Sequence, residues 1–426
     1  MKRILAGLFF VLFTLTFLMK AFSQEMQLVD KVYDENIFSV LLYADGDQLQ
    51  LPAIELGSDE QLMFSFDDLS NQSYLFKYTF VHCTADWQVS DLNQMDYLEG
   101  YFEGEIRNYK FSFNTRTPYI HYQLSFPNDE IKPKLSGNYL LKVYLDDGDN
   151  PQPIITRRFY VYESGAHVSA SLSTRPKNIP YLKKKQEIEM QASLSSSLMD
   201  EAAQRVVVNI FQNGRCDNAL MGLHPSSVSG SVLYFDFPDG LVFDGGNEPR
   251  FFDIKSYRYL SQSVKRIIPE SQYYDVFLHT DLQRIGMPYE TYKNIQGRKL
   301  ITARSDQDAS VEGDYAKVHF SLRMNKLEHA SVFVMGALTD WRLAAPAKMT
   351  YNLQKKAYTL SMYLKQGYYE YWYVVLPDNQ TKADIVKVEG DHWETNNRYT
   401  IFTYYHNRTP EYDKLINVKQ FVAHQN

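Results

Sequence analysis

Short runs of β-branched and aromatic residues, most of them bounded by turn formers, recur along this chain and constrain its fold more than any other feature. Residues 139–145, 206–211 and 274–279 are such runs, while 316–322 and 358–364 alternate polar and apolar side chains as strands with one buried face do. Few stretches keep a helical period, and 195–204 suits a short helix at best. Aromatic side chains, 15% of the chain with 33 Tyr and 26 Phe, pack well on pleated, half-buried surfaces. The expected fold class is all-β, arranged as tandem immunoglobulin-like β-sandwich domains.

A chain of 426 residues is too long for one hydrophobic core. Two seams divide it. Residues 164–180 are dominated by Ser, Ala, Thr, Asn and Pro, and 303–313 are polar and acidic. The expected division is a signal peptide at 1–23, an N-terminal sandwich at 24–164, a middle sandwich at 165–309 and a C-terminal immunoglobulin-like domain at 310–426.

The signal peptide follows from Lys2 and Arg3, an apolar run at 4–19, and Ala21-Phe22-Ser23, a small-x-small cleavage pattern that starts the mature chain near Gln24. The run is shorter than the roughly 20 residues a spanning helix needs, and Lys20 ends it. No Cys adjoins the cut, so a lipid anchor is not expected, and the protein should work in a periplasm or outside the cell. Cleavage leaves 41 basic and 51 acidic residues, a formal charge of −10, which argues against nucleic acid and anionic lipid as partners. The one tight basic run, Lys183-Lys184-Lys185, is followed by Glu187 and Glu189 and reads as the solvated start of a strand.

Catalytic signatures are absent from the sequence: no G-x-S-x-G, H-E-x-x-H, C-x-x-C, P-loop or G-x-G-x-x-G occurs. His82 and Asp86 would align on a helix, but here they straddle a strand end and a turn. Asp67-Asp68 and the Asp146, Asp147 and Asp149 run are carboxylate-rich, and the latter reads as a solvated hairpin turn lacking the Glu of a calcium loop. No cofactor, metal site or small-molecule substrate is expected, and the chain reads as non-enzymatic. Cys83 and Cys216 are the only cysteines; an oxidising compartment permits a bridge, yet the two fall in different expected domains.

In the last domain, Val332-Phe333-Val334-Met335-Gly336-Ala337-Leu338-Thr339-Asp340-Trp341, then Met349-Thr350-Tyr351, then Leu364-Lys365-Gln366-Gly367-Tyr368-Tyr369-Glu370-Tyr371-Trp372-Tyr373-Val374-Val375 resemble the glycogen-binding immunoglobulin-like modules. The resemblance implies carbohydrate stacking on Trp341. The second stacking position of those modules falls near Gln380-Thr381 and their lysine falls at Trp372, so fold is implied more than ligand.

A wider resemblance spans nearly the whole mature chain. Phe80-Val81-His82-Cys83-Thr84-Ala85-Asp86-Trp87, then Met95-Asp96-Tyr97-Leu98-Glu99-Gly100, Ser136-Gly137-Asn138-Tyr139, Gln212-Asn213-Gly214-Arg215, Gly245-Gly246-Asn247-Glu248-Pro249-Arg250-Phe251-Phe252-Asp253, and finally Leu364 through Tyr369 resemble the plug proteins of the type IX secretion system. The sequence departs at Pro249, where the family often has an aromatic, and at Asn417, where a Gly is usual. This resemblance implies an exported protein of the Bacteroidetes group that binds the periplasmic mouth of the outer-membrane translocon β-barrel and seals it between substrates. The expected partner-binding residues are Asp86, Trp87, Glu248 and Arg250, in two turn segments that mix charged and aromatic side chains. The competing reading has Asp86 and Glu248 holding local turns while Trp87 and Phe251 are core. The alternative function is a periplasmic or surface carbohydrate-binding protein resting on Trp341, with a hydrolase third.

Overall fold

Three β-sandwiches make up the computed structural model, which describes residues 26–44, 46–145 and 151–424. The expected signal peptide and the acidic 146–149 run lie outside them.

The first sandwich faces one sheet, ordered Lys31–Val32, Pro153–Tyr162, Gly137–Leu145, Phe76–Cys83, Gly104–Ile106, against a second, ordered Ile37–Ala44, Leu62–Asp68, Ile120–Phe126, Asn108–Phe111. Alternation explains which faces meet: Phe76, Tyr78 and Phe80 point into the core while Lys77 and Thr79 point out. Phe66 stacks on Tyr122 with centroids 5.1 Å apart, and Phe80 and Phe126 each pack edge to face on Phe159. Each such pair adds about 0.5–1.5 kcal/mol beyond area burial.

The middle sandwich pairs Ala166–Leu172, Lys185–Leu194, Val232–Tyr234 and Ser227–Ser229 in one sheet, and Leu220–Leu223, Val206–Gln212, Arg398–Arg408 and Glu411–Val422 in the other. Its core includes Ile188, Val208, Ile210, Phe243 and Tyr399. The third sandwich sets Arg250–Asp253, Gly367–Pro377, Lys299–Ile301 and Ala330–Met335 against Val264–Pro269, Tyr274–Leu278, Tyr315–Arg323, Ala357–Lys365 and Thr350–Asn352. Residues 195–204 form a 3-10 turn, Ser196–Leu198, and one helical turn, Ala202–Arg205.

Strand pairing departs from the expected division. Arg250–Asp253 and Lys299–Ile301, assigned to the middle domain, flank Gly367–Pro377 in the third sandwich. Arg398–Arg408, assigned to the last domain, pairs with Val206–Gln212 from Val206↔Tyr405 to Gln212↔Tyr399. The third sandwich is therefore inserted into the middle one, which the final two strands close. A polar seam such as 303–313 marks a surface loop whether or not the chain leaves its domain there, and alternation shows a buried face without naming the neighbouring strand.

Candidate functional site

The turn after Phe76–Cys83 is closed by Thr84 N donating to Gln88 O at 2.9 Å and Trp87 N donating to Thr84 O at 3.0 Å, with Trp87 at φ 64°. Asp86 is exposed and accepts from Thr84 Oγ1 at 2.5 Å. Trp87 is buried, edge-on to Tyr160, with the Arg158 guanidinium 4.0 Å from its ring. Ala85 N donates to Asp413 Oδ2 and Asn209 Nδ2 donates to Ala85 O, each at 2.8 Å. The turn is thus clamped between the first and middle sandwiches. Around it Cys83, Trp87 and Tyr160 of the first sandwich pack on Phe211, Phe402 and Tyr404 of the middle one, with Tyr160 stacked 4.3 Å from Phe402.

His82 and Asp86 do not act as a pair. His82 bonds Ser90 Oγ through Nδ1 at 2.9 Å and the Ser136 carbonyl through Nε2 at 3.3 Å, and burial pushes its imidazole down to about 4. A carbonyl only accepts, so Nε2 carries the proton and the ring is neutral. Gly137 at φ +144° permits this packing, since a Cβ there would sit 2.5 Å from Nε2.

Glu248 and Arg250 are interior groups of the third sandwich and its border with the middle one. The Glu248 carboxylate accepts from Tyr289 OH and Asn294 Nδ2 at 2.5 Å each and from Asn396 N and Nδ2 at 3.0 and 2.8 Å. Arg250 donates to both carboxylate oxygens of buried Glu389 at 3.1 and 3.0 Å and to Asp281 Oδ1 at 2.7 Å. Arg284 Nε adds a 2.7 Å bond to Glu389. Burial raises the Glu389 carboxyl, but the two guanidiniums outweigh it and hold it below its usual range. Of the four expected partner-binding residues, only Asp86 reaches solvent freely. Charge in a turn reads the same in sequence whether it faces water or a buried counter-ion.

Trp341 is half-buried, with its ring 6.0 Å from that of fully buried Trp372, whose Nε1 donates to Asn247 O at 2.8 Å. It lines a cavity of about 220 Å³ where the three sandwiches meet rather than forming an open sugar platform. Gly297, at φ +76°, is required there: a Cβ would stand 2.1 Å from the Trp372 ring and 2.6 Å from that of Trp341. Cys83 and Cys216 are both free thiols, the first buried and the second exposed.

Residues 37–163 match the family model described as the first domain of the type 9 secretion system plug protein. The crystal structure of a hypothetical protein from Parabacteroides merdae superposes with a TM-score of 0.89 at 30% identity, over 93% of this chain and 100% of that one. This chain belongs to the type IX secretion system plug protein family. No curated protein matches it. The C-terminal domain of the Streptococcus pyogenes antigen I/II-family protein AspA aligns at 8% identity over 91% of this chain and 99% of that one, with a TM-score of 0.16 that carries no argument.

Membership ties this plug-family protein to a secretion system of the cell envelope. Among its described residues no helix is long and apolar enough to cross a membrane. One buried inter-sandwich tie has no mark in the sequence. Asp67, noted only as one of two adjacent carboxylates, bonds His121 Nδ1, Lys365 Nζ and Tyr315 OH at 2.6, 2.6 and 2.7 Å across the first and third sandwiches. Asp68 turns away and accepts from Ser70 N at 2.8 Å. No local signal separates the two; only their position on opposite faces of Leu62–Asp68 does.

Proposed function

We propose that the protein is a non-catalytic, exported plug that binds the periplasmic opening of the outer-membrane type IX translocon and covers it while no substrate occupies it. The match of residues 37–163 to the plug first domain carries this reading. A cover must be stiff, and the three sandwiches are joined by buried hydrogen bonds and ion pairs, as at Asp67–Lys365 and Asn209–Ala85. It must also come off, which suits an interface of about 1,200–2,000 Å² with a polar rim.

The first sandwich offers material for such an interface in its exposed Tyr101, Phe102, Tyr109, Phe111 and Phe113, the last three alternating along the edge strand Asn108–Phe111 and just beyond. Aromatic anchors of this kind dominate interface energetics. The test is a pull-down of tagged protein from detergent-solubilised envelopes, with mass spectrometry of what co-purifies. Recovery of a very large outer-membrane β-barrel, reduced about tenfold or more by Phe111→Asp with Phe113→Asp, is the expected result. A folded protein that recovers no barrel would overturn the reading.

A further inference from the structure

The cavity at the three-sandwich junction is lined by basic groups that lack acidic partners. Arg298 and Arg398 both reach it, and their Nη2 atoms each donate to one acceptor, Gln296 Oε1, at 3.1 Å. Arg298 otherwise donates to the backbone carbonyls of Leu49 and Ile295. Neither arginine forms an ion pair among the described residues, and Arg398 Nε is buried with no hydrogen-bond partner. Burial, together with the charge of Arg398, pulls the Arg298 guanidinium down to about 10, and burial lowers Arg398 as well.

Asp47 and Glu370 favour the charged arginines from a distance but form no ion pair with either among the described residues. Asp47 is exposed and accepts from Leu49 N and Gln50 Nε2. Glu370 accepts from Ile295 N, Gly297 N and Tyr368 OH. Asp30, which also lines the cavity, accepts from Arg158 N at 2.7 Å. Two guanidiniums side by side, one with an orphaned buried donor, are costly without an anion. Trp341, Tyr160, Phe211 and Phe402 supply aromatic faces to the wall, beside the polar Arg158 and Gln420. A volume of about 220 Å³ lies below the ~300–1,000 Å³ of drug-sized pockets, so the space suits one ring.

We propose that this cavity binds a small organic carboxylate carrying a single six-membered ring, with the carboxylate on Arg298 and Arg398 and the ring against Trp341. The planar guanidinium fork matches a carboxylate, and the aromatic faces accept either an aromatic ring or the C–H face of a sugar acid. Because the walls come from all three sandwiches, occupancy would bind them together and raise the unfolding temperature. This inference does not depend on the plug reading.

The test is isothermal titration of the mature protein, alongside Trp fluorescence, with benzoate and glucuronate against their neutral counterparts benzamide and glucose. Saturable binding of at least one acid, with its neutral counterpart at least about tenfold weaker, is expected. Arg398→Gln should weaken that binding by a further tenfold or so. Should that variant fail to fold, Gln420→Glu, which places a like charge at the same wall, should weaken it instead. Which acid binds identifies the ring as aromatic or sugar. Absence of binding by either acid to the folded wild type, or equal binding of acids and neutral counterparts, would overturn the proposal.

Discussion

Lys365 Nζ donates to Asp67 Oδ2 at 2.6 Å with both side chains buried, so a charge pair ties the first sandwich to the third across 298 residues of chain. Burial raises the Asp67 carboxyl, and the Lys365 ammonium together with His121 outweighs it, holding Asp67 below the usual carboxylate range. Lys365→Met strands the buried carboxylate and should cost about 3–5 kcal/mol by urea unfolding. Asp67→Leu combined with Lys365→Met should recover only part of that loss, since no buried carboxylate is left uncompensated but His121 Nδ1 loses its acceptor. A single variant as stable as wild type would contradict this account.

Arg250 should behave as a structural residue. Arg250→Ala leaves fully buried Glu389 with Arg284 as its one remaining guanidinium and should destabilise by about 3–5 kcal/mol in denaturant unfolding. Arg250→Lys, which cannot span Glu389 and Asp281 in one fork, should fall between. An Arg250→Ala protein of unchanged stability that loses only its partner would show the residue to be an interface group after all.

Stability should depend on pH through two buried groups of opposite sign. Burial pushes Glu370 up to about 7 from an ordinary 4.5, against the backbone N–H groups of Gly297 and Ile295 that favour its charged form. Its folded value is raised, so its contribution is present below 4.5 and lost as pH rises through about 7. His82 is depressed to about 4 from 6.5, so its contribution is present above 6.5 and lost as pH falls through about 4. Glu370→Gln should therefore gain stability relative to wild type as pH rises from 4.5 to 7, by up to roughly 3 kcal/mol. His82→Gln should gain as pH falls from 6.5 to 4. Urea titrations at stepped pH check both signs.

Thiol labelling should distinguish the cysteines. Burial pushes the Cys83 thiol up to about 12 and also raises the Cys216 thiol despite Arg158 Nη1 3.6 Å away, but only Cys216 is exposed. A small thiol reagent should label one cysteine rapidly in the native protein and both in denaturant. Rapid native labelling of both would show that the Trp87 contact opens readily.

Several strands were legible because alternation and aromatic content are local. Residues 139–145, 206–211, 316–322 and 358–364 lie within the strands Gly137–Leu145, Val206–Gln212, Tyr315–Arg323 and Ala357–Lys365, and 274–279 overruns Tyr274–Leu278 by His279. The candidate residues were less legible. Trp87 and Glu248 sit in turns of ordinary polar composition, and their burial comes from Phe402, Asn396 and other residues far along the chain. Arg298 and Arg398 carry no mark in sequence that sets them apart from exposed arginines.

The sequence by itself determined that this chain is all-β and that it resembles the plug family, because strand periodicity and motif order are properties of consecutive residues. The tertiary structure decided that the third sandwich interrupts the middle one, that Glu248 and Arg250 face inward, and that two unpaired arginines share a cavity. The physical reason is that an edge of backbone donors and acceptors pairs equally well with any strand of matching face. The choice between partners, and with it the burial of each charge, rests on contacts between residues hundreds of positions apart.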